Sequence, residues 1–372
     1  MKITGLTARL LEIDARPRFG DEGVPPGRPS VWHYPLFVLH TDAGIDGYSM
    51  GYGNQGDGKA LAHLVRDVYL AELLGENPLF VEAIWHKIRR RTRHMYALMD
   101  SVVGIIDVAL WDIVGKQMQQ PIAMLLGAYR TRVPGYATGY SFHPTPDIVF
   151  KEASQMKQAG YHGYKLHFWN DPKTDIPCMY AAREAVGPGF PLMQDLNSKY
   201  NLTQALEAGR VLDELNFYWF EEPIPERQMA NVRKLADELK TPILGGETLR
   251  LDEMAEHIRY GAFDIARGDV YSKAGITGLY KTYAMCELFG LNLEVHTMAT
   301  PLLDVANLHV ACAVQNGEFM EIIHPVYRFG MVGNPLDIDA DGYLHMPQGP
   351  GLGIELDWDW IEDHTIEVIT GP

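Results

Sequence analysis

From about residue 133 onward, short apolar strands alternate with amphipathic helices in a regular repeat. The strands begin near residues 135, 163, 190, 217, 242, 264, 291 and 318, so that one strand–helix unit recurs about every 27 residues. Parallel strands need a helical crossover of about this length, and eight consecutive units are typical of a closed (β/α)8 barrel. The repeat therefore predicts an α/β fold with a TIM-type barrel over residues 126–330.

Two flanking segments differ from this repeat. Residues 1–125 combine strand-like runs with helical patterns near 58–73, 79–94 and 98–118, which predicts an α+β capping domain. Within it, residues 16–29 are rich in proline, glycine and charge and are expected to form a loop. Residues 331–372 show no regular pattern, and we expect an irregular C-terminal tail that packs back on the capping domain and completes it.

Composition excludes several classes of function. The chain has 372 residues, of which 47% are hydrophobic and 22% charged, as in ordinary globular proteins. The net charge of −16 disfavours binding to nucleic acid. No apolar stretch is long enough to span a bilayer, and the N-terminus lacks a signal-peptide core, so a membrane role is not expected. Three cysteines without paired spacing indicate free thiols and a cytoplasmic protein; they are Cys178, Cys286 and Cys312.

Seven consecutive predicted strands end in an ionisable residue. In barrels of this kind the catalytic groups lie where strands end and the following loops begin, so these side chains are expected to meet at one mouth. The candidate residues are Lys165 and His167, Asp195, Glu221, Glu247, Asp269, His296 and Glu321.

Three of these residues are carboxylates on adjacent strands. Asp195, Glu221 and Glu247 are equally spaced along the chain and would repel one another unless a cation neutralised them. Ligation by oxygen alone suits a hard cation such as Mg²⁺. Asn197 would point the same way as Asp195 and is a candidate substrate contact.

Proton-transfer groups are expected on both sides of this carboxylate set. Lys165 and His167 are two residues apart on one strand and therefore project to the same face. Asp269 is placed to orient the imidazole of His296, leaving its other nitrogen as a base. Glu321 would donate a hydrogen bond to an oxyanion if protonated, or orient another group if ionised.

Candidate substrate contacts lie mainly at about residues 16–33 of the capping domain, a segment that the resemblance described below implies would cover the substrate. Arg16, Arg18 and His33 suit a polar or anionic distal end of a substrate such as a sugar acid or diacid. Tyr140, at the end of the first barrel strand, is a further candidate.

As a set, these residues resemble the enolase superfamily and, within it, the mandelate racemase group, which includes muconate lactonizing enzymes and acid-sugar dehydratases. The resemblance covers nearly the whole chain and includes residues 107–112, the Glu-Glu-Pro at 221–223, the three carboxylates and the Asp269–His296 pair. It implies Mg²⁺ bound by the carboxylates, His296 as a general base or acid, Glu321 on the oxyanion side, and a homo-oligomer, either dimer or octamer. The common Lys-x-Lys of the second strand is replaced here by Lys165-Leu166-His167.

The expected reaction is abstraction of the proton next to a substrate carboxylate. We expect dehydration of an aldonate or aldarate to a 2-keto-3-deoxy acid, with a racemase, epimerase or lactone cycloisomerase as the alternative. Whether Lys165 or His167 is the working base stays open at this point. A metallohydrolase is disfavoured because its metal usually has histidine ligands, and an inactive barrel is disfavoured because none of the expected functional positions is lost.

Overall fold

The computed structural model describes residues 1–19, 24, 28–53, 57–91, 100–139, 143–297, 300–323 and 329–371. The chain begins with a four-stranded antiparallel sheet whose spatial order is β15-β1-β2-β3. Its strands, numbered along the chain, are β1 (Ile3–Asp14), β2 (Val31–Thr41), β3 (Gly47–Met50) and β15 (Thr365–Gly371). Buried residues alternate with less buried ones along most of β1, and the alternation shifts at Gly5–Leu6 and Leu10–Leu11, near irregularities of the strand pairing.

Helices cover this sheet close to the positions that the periodicity predicts. They are Gly58–Leu64, a π-helical segment Val65–Tyr69, Leu70–Leu73, Val81–Arg89 and Asp100–Met118. The last of these is buried along most of its length, because it packs between the sheet and the barrel. The segment expected to be a loop at residues 16–29 contains one helical turn, Arg16–Phe19.

Eight parallel strands follow and close into a barrel, because the last strand pairs with the first. They are β4 (Arg132–Thr138), β5 (Gly163–His167), β6 (Leu192–Asp195), β7 (Trp219–Glu221), β8 (Ile243–Gly245), β9 (Ile265–Gly268), β10 (Asn292–Val295) and β11 (Met320–Ile323). The predicted TIM-type barrel with an N-terminal capping domain is confirmed.

Seven helices connect consecutive barrel strands. They are Pro146–Gln158, Pro172–Val186, Leu202–Leu215, Met229–Glu238, Leu251–Tyr260, Gly275–Leu288 and Pro301–Ala313. Local sequence explains several of their starts: the side chains of Thr145, Asp171 and Asn201 each accept a hydrogen bond from a backbone N–H of the first helical turn. Their apolar faces pack on the strands and form the largest core of the molecule.

Inside the barrel, an apolar layer is followed by a layer of charged side chains at the carboxyl-terminal ends of the strands. A separate buried cluster consists of Tyr136, Met193, Trp219 and Leu244, from four of the barrel strands. Trp219 Nε1 donates a hydrogen bond to Glu221 Oε2 at 3.2 Å, which links this apolar floor to the charged layer at the strand ends.

The expectation of an irregular tail was wrong. The tail contains strands β12 (Met331–Val332), β13 (Tyr343–His345) and β14 (Glu355–Leu356), and the helix Trp358–His364 before β15. Strand β15 pairs with β1 of the capping sheet, whereas β13 pairs antiparallel with barrel strand β4. The run of β-branched residues in β15, interrupted only by Glu367, was a visible strand signal.

Two aspartates of the helix Asp100–Met118 join the parts of the molecule. Asp107 accepts hydrogen bonds from the backbone N–H and the hydroxyl of Thr277, at 2.9 and 2.7 Å, and so caps a barrel helix. Asp112 accepts the backbone N–H of Tyr48 and of Leu352, both at 2.9 Å. Residues 107–112 thus connect the capping sheet, the barrel and the tail.

None of the helices in the described ranges is both long enough and apolar enough to cross a membrane. Cys178, Cys286 and Cys312 are buried free thiols.

Candidate active site

The ionisable residues predicted at the strand ends lie at the carboxyl-terminal mouth of the barrel. Asp195 and Glu221 are the last residues of β6 and β7, and His167 is the last residue of β5. Asp269 and His296 directly follow β9 and β10. Because the barrel is closed, β5 and β10 stand on different sides of the mouth, and the intervening strands carry the carboxylates.

Lys165 is the centre of a buried ionic network. Its Nζ lies 3.1 Å from Asp195 Oδ2, 2.9 Å from Glu221 Oε2 and 2.9 Å from Glu321 Oε1. Burial and the nearby Arg267 oppose a charge on Lys165, but Glu221 and Glu321 outweigh them and hold the pKa of Lys165 well above its ordinary value. The side chain is 2% exposed, so Lys165 is an ammonium enclosed by carboxylates.

Arg267 is a functional residue that the sequence analysis missed. Its side chain is fully buried, with Nε 2.9 Å from Glu221 Oε1 and Nη2 2.5 Å from Glu321 Oε2. Nη1 donates to the hydroxyl of Tyr136 and to the carbonyl of Val295. An arginine two residues before Asp269 in a four-residue strand was the available signal, because such a position alternates onto the same face as Asp269.

Glu321 is held as a carboxylate by this network. It accepts hydrogen bonds from the Thr138 hydroxyl at 2.5 Å and from the backbone N–H of Thr297 at 3.1 Å. Burial would raise the pKa of Glu321, but Arg267 and Lys165 hold it well below its ordinary value. Of the two roles considered from sequence, the geometry favours an ionised orienting group.

His167 lies at the edge of the network rather than inside it. Its Nε2 is 3.4 Å from Asp195 Oδ2, and the imidazole packs edge-on against Trp169. The side chain is 14% exposed, compared with 2% for Lys165. Of the two, His167 is therefore the more accessible from the mouth.

Asp269 and His296 form the expected pair. Asp269 Oδ2 lies 2.8 Å from Nδ1 of His296, and Oδ1 accepts the backbone N–H groups of Tyr271 and Ser272, both at 2.7 Å. Burial alone would raise the pKa of Asp269, but the hydrogen bond with His296 and the other donors lower it. An ionised Asp269 fixes the ring with Nδ1 protonated, which leaves Nε2 for chemistry.

Glu247 faces the other nitrogen of the same histidine. Its Oε1 lies 3.5 Å from Nε2 of His296. Burial, with a smaller contribution from Glu221 and Asp195, raises the pKa of Glu247 to about 7 against the opposing charges of His296 and Arg267. For His296, burial favours the neutral ring, but Glu247 and Asp269 outweigh it and raise the pKa to about 9.

The donor set fits a divalent cation. Two fixed cations face four carboxylates at the mouth, and the six groups are Lys165, Arg267, Asp195, Glu221, Glu247 and Glu321. The carboxylates outnumber these two cations, and a hard divalent ion with oxygen ligands would offset the remaining repulsion between them. Among the described residues, no three His, Cys, Asp or Glu side chains are grouped closely enough to hold a metal. The assignment of Asp195, Glu221 and Glu247 as ligands therefore stays a prediction.

The candidate substrate contacts are less closely tied to the mouth. Asn197 is exposed, and its backbone N–H donates to Asp195 Oδ1 at 2.9 Å, with φ at +47°. Arg16 pairs with Asp14 at 2.7 Å, and His33 lies 3.4 Å from Glu12, both in the capping domain. The side chain of Arg18, and Tyr140 as a whole, lie outside the described residues.

Two stretches of the chain match known families. Residues 31–127 match the mandelate racemase/muconate lactonizing enzyme N-terminal domain, and residues 149–360 match the family described as enolase C-terminal domain-like. The chain belongs to the mandelate racemase group of the enolase superfamily.

The chain is similar to known proteins over nearly their whole length. Arabinonate dehydratase from Saccharolobus solfataricus is 32% identical over 334 residues, covering 87% of this chain and 89% of the relative. D-galactarolactone cycloisomerase from Agrobacterium fabrum is 29% identical over 375 residues, covering 96% of this chain and 97% of the relative. The crystal structure of D-glucarate dehydratase from Agrobacterium tumefaciens, complexed with magnesium, has a TM-score of 0.88 at 30% identity and covers 99% of this chain and 100% of that chain.

The relatives of this mandelate racemase group protein are enzymes of related chemistry. They are acid-sugar dehydratases, cycloisomerases and racemases. The protein is accordingly an enzyme of the enolase superfamily.

Proposed function

We propose that this protein removes the proton α to a carboxylate in a Mg²⁺-dependent reaction, and that its overall reaction is dehydration of an acid sugar to a 2-keto-3-deoxy acid. The observation that carries the proposal is the placement of two proton-transfer groups on different sides of one carboxylate set. His296 with Asp269 stands at β10, and His167 stands at β5. The proposal is further supported by the dehydratases among the relatives of the chain.

Asp195, Glu221 and Glu247 would hold the ion. When bound, Mg²⁺ supplies positive charge that stabilises the enediolate formed on loss of the α-proton. Lys165 and Arg267 hold Glu221 and Glu321 in place, through the contacts at 2.9 Å and below. The acidity of a carbon next to a carboxylate is low, so this preorganised charge is a requirement of the reaction.

Protons then move at two stated atoms. A cation bound at Glu247 would offset the negative charge that contributes most to raising the pKa of His296. Nε2 of the neutral ring then takes the α-proton while Asp269, hydrogen bonded to Nδ1, stabilises the imidazolium that forms. Nε2 of His167, at the mouth beside Asp195, is placed to give a proton to the departing β-hydroxyl, which leaves as water. The dehydrated product carries the α-hydroxyl on its new α,β double bond and is therefore an enol. Tautomerisation of this enol yields the 2-keto-3-deoxy acid. The opposite division of these two roles between His296 and His167 fits the same geometry.

We assign His167, and not Lys165, to proton exchange on the β5 side. Lys165 directs its ammonium at three carboxylates and is 2% exposed, so its protons are engaged in holding Asp195, Glu221 and Glu321. His167 contacts Asp195 from the more exposed side. Lys165 therefore acts as a counter-charge within the site.

An isomerase is the second candidate. Two groups on different sides of the mouth also permit one to remove a proton and the other to return it. The similarity to D-galactarolactone cycloisomerase covers 96% of this chain and 97% of that protein, which favours lactone isomerisation within this class.

The test is a screen of purified protein with Mg²⁺ against mono- and diacid sugars and their lactones. Semicarbazide detects 2-keto products, and NMR in D₂O detects exchange or rearrangement without a keto product. A keto product from one acid sugar that is lost with His296→Asn, but kept with the surface control His345→Asn, supports the dehydratase. Exchange or lactone rearrangement alone would assign the protein to the isomerases, and inactivity on the whole library would contradict the acid-sugar substrate class.

A further inference from the structure

A buried lysine from a different strand–helix unit of the barrel donates hydrogen bonds to the loop that carries Glu247. Lys273 Nζ donates hydrogen bonds to the carbonyl oxygens of Gly246 at 2.7 Å, Glu247 at 2.9 Å and Leu249 at 2.7 Å. An ammonium has three protons, and these three carbonyls account for all of them. Lys273 is fully buried, so its charge is directed entirely at this loop.

A buried glutamate holds the same loop from its donor side. The Glu226 carboxylate accepts the backbone N–H of Gly246, the backbone N–H of Thr248 at 2.9 Å and the Thr248 hydroxyl at 2.6 Å. The backbone carbonyl oxygen of Glu226 lies 3.1 Å from Nε2 of His257, which connects Glu226 to the helix Leu251–Tyr260 after the loop. The loop at residues 246–249 is therefore held by a cation at its carbonyls and by an anion at its N–H groups.

The surroundings leave this loop little freedom to rearrange. Gly246 has φ at +116°, and a Cβ there would lie 2.6 Å from the sulfur of Met254. The stem of Lys273 passes against Gly268, where a Cβ would lie 2.9 Å from Lys273 Cε. Burial lowers the pKa of Lys273, because removal from water disfavours its charged form. A buried charge that is hydrogen bonded only to backbone, within the part of the chain that is described, points to a role in fixing that backbone.

The same turn also holds the histidine pair. Lys273 donates its backbone N–H to the carbonyl of Asp269 at 3.0 Å, and the Asp269 carboxylate contacts His296. His296 Nε2 in turn lies 3.5 Å from Glu247 Oε1. The turn at residues 269–273 thus contacts the loop of the proposed metal ligand Glu247 through Lys273, and the proposed base His296 through Asp269.

We propose that Lys273 and Glu226 are positioning residues that clamp the loop at residues 246–249, so that the Glu247 carboxylate is aimed into the barrel mouth. For the role of Glu247 as a metal ligand, the inference rests on the proposed function. The effect of Lys273 and Glu226 on the backbone of residues 246–249 is testable without metal or substrate.

The experiment compares Lys273→Met and Glu226→Gln with two matched controls. Lys157→Met removes a lysine that also donates to a backbone carbonyl, that of Val186 at 2.7 Å, away from the mouth. Glu294→Gln alters a buried glutamate that also accepts two backbone N–H groups, those of Glu318 and Phe319, before β11. The first measurement is amide hydrogen–deuterium exchange of the metal-free proteins, and the second is Mg²⁺ titration by calorimetry.

We expect both clamp variants to exchange at least about tenfold faster over residues 246–249, and the controls to match the wild type there. We expect Mg²⁺ dissociation constants about 10–100-fold higher in the clamp variants, as is typical when the partners that orient a metal ligand are removed. Unchanged exchange and unchanged Mg²⁺ affinity in Glu226→Gln would overturn the clamp, and so would equal effects in the controls. If Lys273→Met does not fold, Glu226→Gln decides. If the wild type binds no Mg²⁺, the proposed function fails, and the exchange data alone decide the clamp.

Discussion

The ammonium of Lys165 and the guanidinium of Arg267 share two carboxylates. Glu221 lies 2.9 Å from Lys165 Nζ through Oε2 and 2.9 Å from Arg267 Nε through Oε1. Glu321 is bridged in the same way, with Oε1 toward Lys165 and Oε2 toward Arg267. Two cations and two anions thus alternate in a closed ring at the barrel mouth, and neither cation can be removed without leaving both carboxylates short of a partner.

Replacing Arg267 should therefore be costly. Arg267→Met leaves two buried carboxylates to share Lys165 without their second cation, and breaking a buried ion pair costs about 3–5 kcal/mol of unfolding free energy. The measurement is urea denaturation. Arg233→Met, which removes an exposed arginine paired with Asp237 within one helix, serves as the control and should remain close to the wild type. A loss for Arg267→Met no larger than that of the control would contradict the ring as a stabilising unit.

The histidine at β10 should be essential for turnover and dispensable for the fold. His296→Asn removes the proton acceptor, so kcat should fall about 10²–10⁴-fold, while Mg²⁺ affinity changes little. The chain offers a matched control in His345, whose Nε2 lies 2.7 Å from Asp339 on the tail. His345→Asn should retain full activity. Activity of His296→Asn comparable to that of this control would refute the Asp269–His296 assignment.

The two residues of the β5 side should separate in their effects. His167→Asn should lower kcat about 10²-fold or more and leave the free energy of unfolding unchanged, because the side chain lies at the edge of the network. Lys165→Met should instead lower both stability and Mg²⁺ affinity, because three carboxylates lose their shared cation. Denaturation, Mg²⁺ titration and steady-state kinetics on both variants distinguish the roles. The reverse pattern would make Lys165 the proton-transfer group.

Much of the barrel could be predicted because the repeat of strand and helix is a local property of the sequence. Asp269 and His296 could be paired in advance, since their neighbouring strands end at the same level. Their hydrogen bond at 2.8 Å agrees with that pairing. The barrel and the Asp269–His296 pairing follow from the order of the strands along the chain, without knowledge of side-chain packing.

Other features depended on contacts that local patterns do not encode. Arg267 is buried only because two carboxylates and Tyr136 surround it, and composition predicts an exposed arginine. Lys273 has no special sequence context, and its role follows from reaching a loop of another unit. In the tail, β15 was missed although its run of β-branched residues was visible, because the partner strand β1 lies at the other end of the chain.

Mg²⁺ should stabilise the protein against unfolding if the carboxylates bind it. A ligand that binds only the folded state adds about 2.7 kcal/mol at one hundred times its dissociation constant. Thermal denaturation with Mg²⁺ and with EDTA measures this difference. Glu247→Gln should abolish it, whereas Glu294→Gln, at a buried carboxylate that accepts the N–H groups of Glu318 and Phe319, should keep it. Equal melting temperatures of the wild type in Mg²⁺ and EDTA would argue against the site.

His309 should make the fold sensitive to mild acid. Its Nδ1 accepts the backbone N–H of Ala123 at 3.2 Å and its Nε2 donates to the Leu352 carbonyl at 3.0 Å, so the buried ring joins the start of the barrel to the tail as a neutral group. Burial lowers the pKa of His309 from 6.5 to about 4. Between those values the unfolded chain binds a proton that the folded protein does not, so stability falls as the pH is lowered from 6.5 to 4, by about 3 kcal/mol in total for this group. The difference in unfolding free energy between the wild type and His309→Gln, measured across that range, should shrink toward low pH. Parallel curves would show that His309 does not carry this dependence.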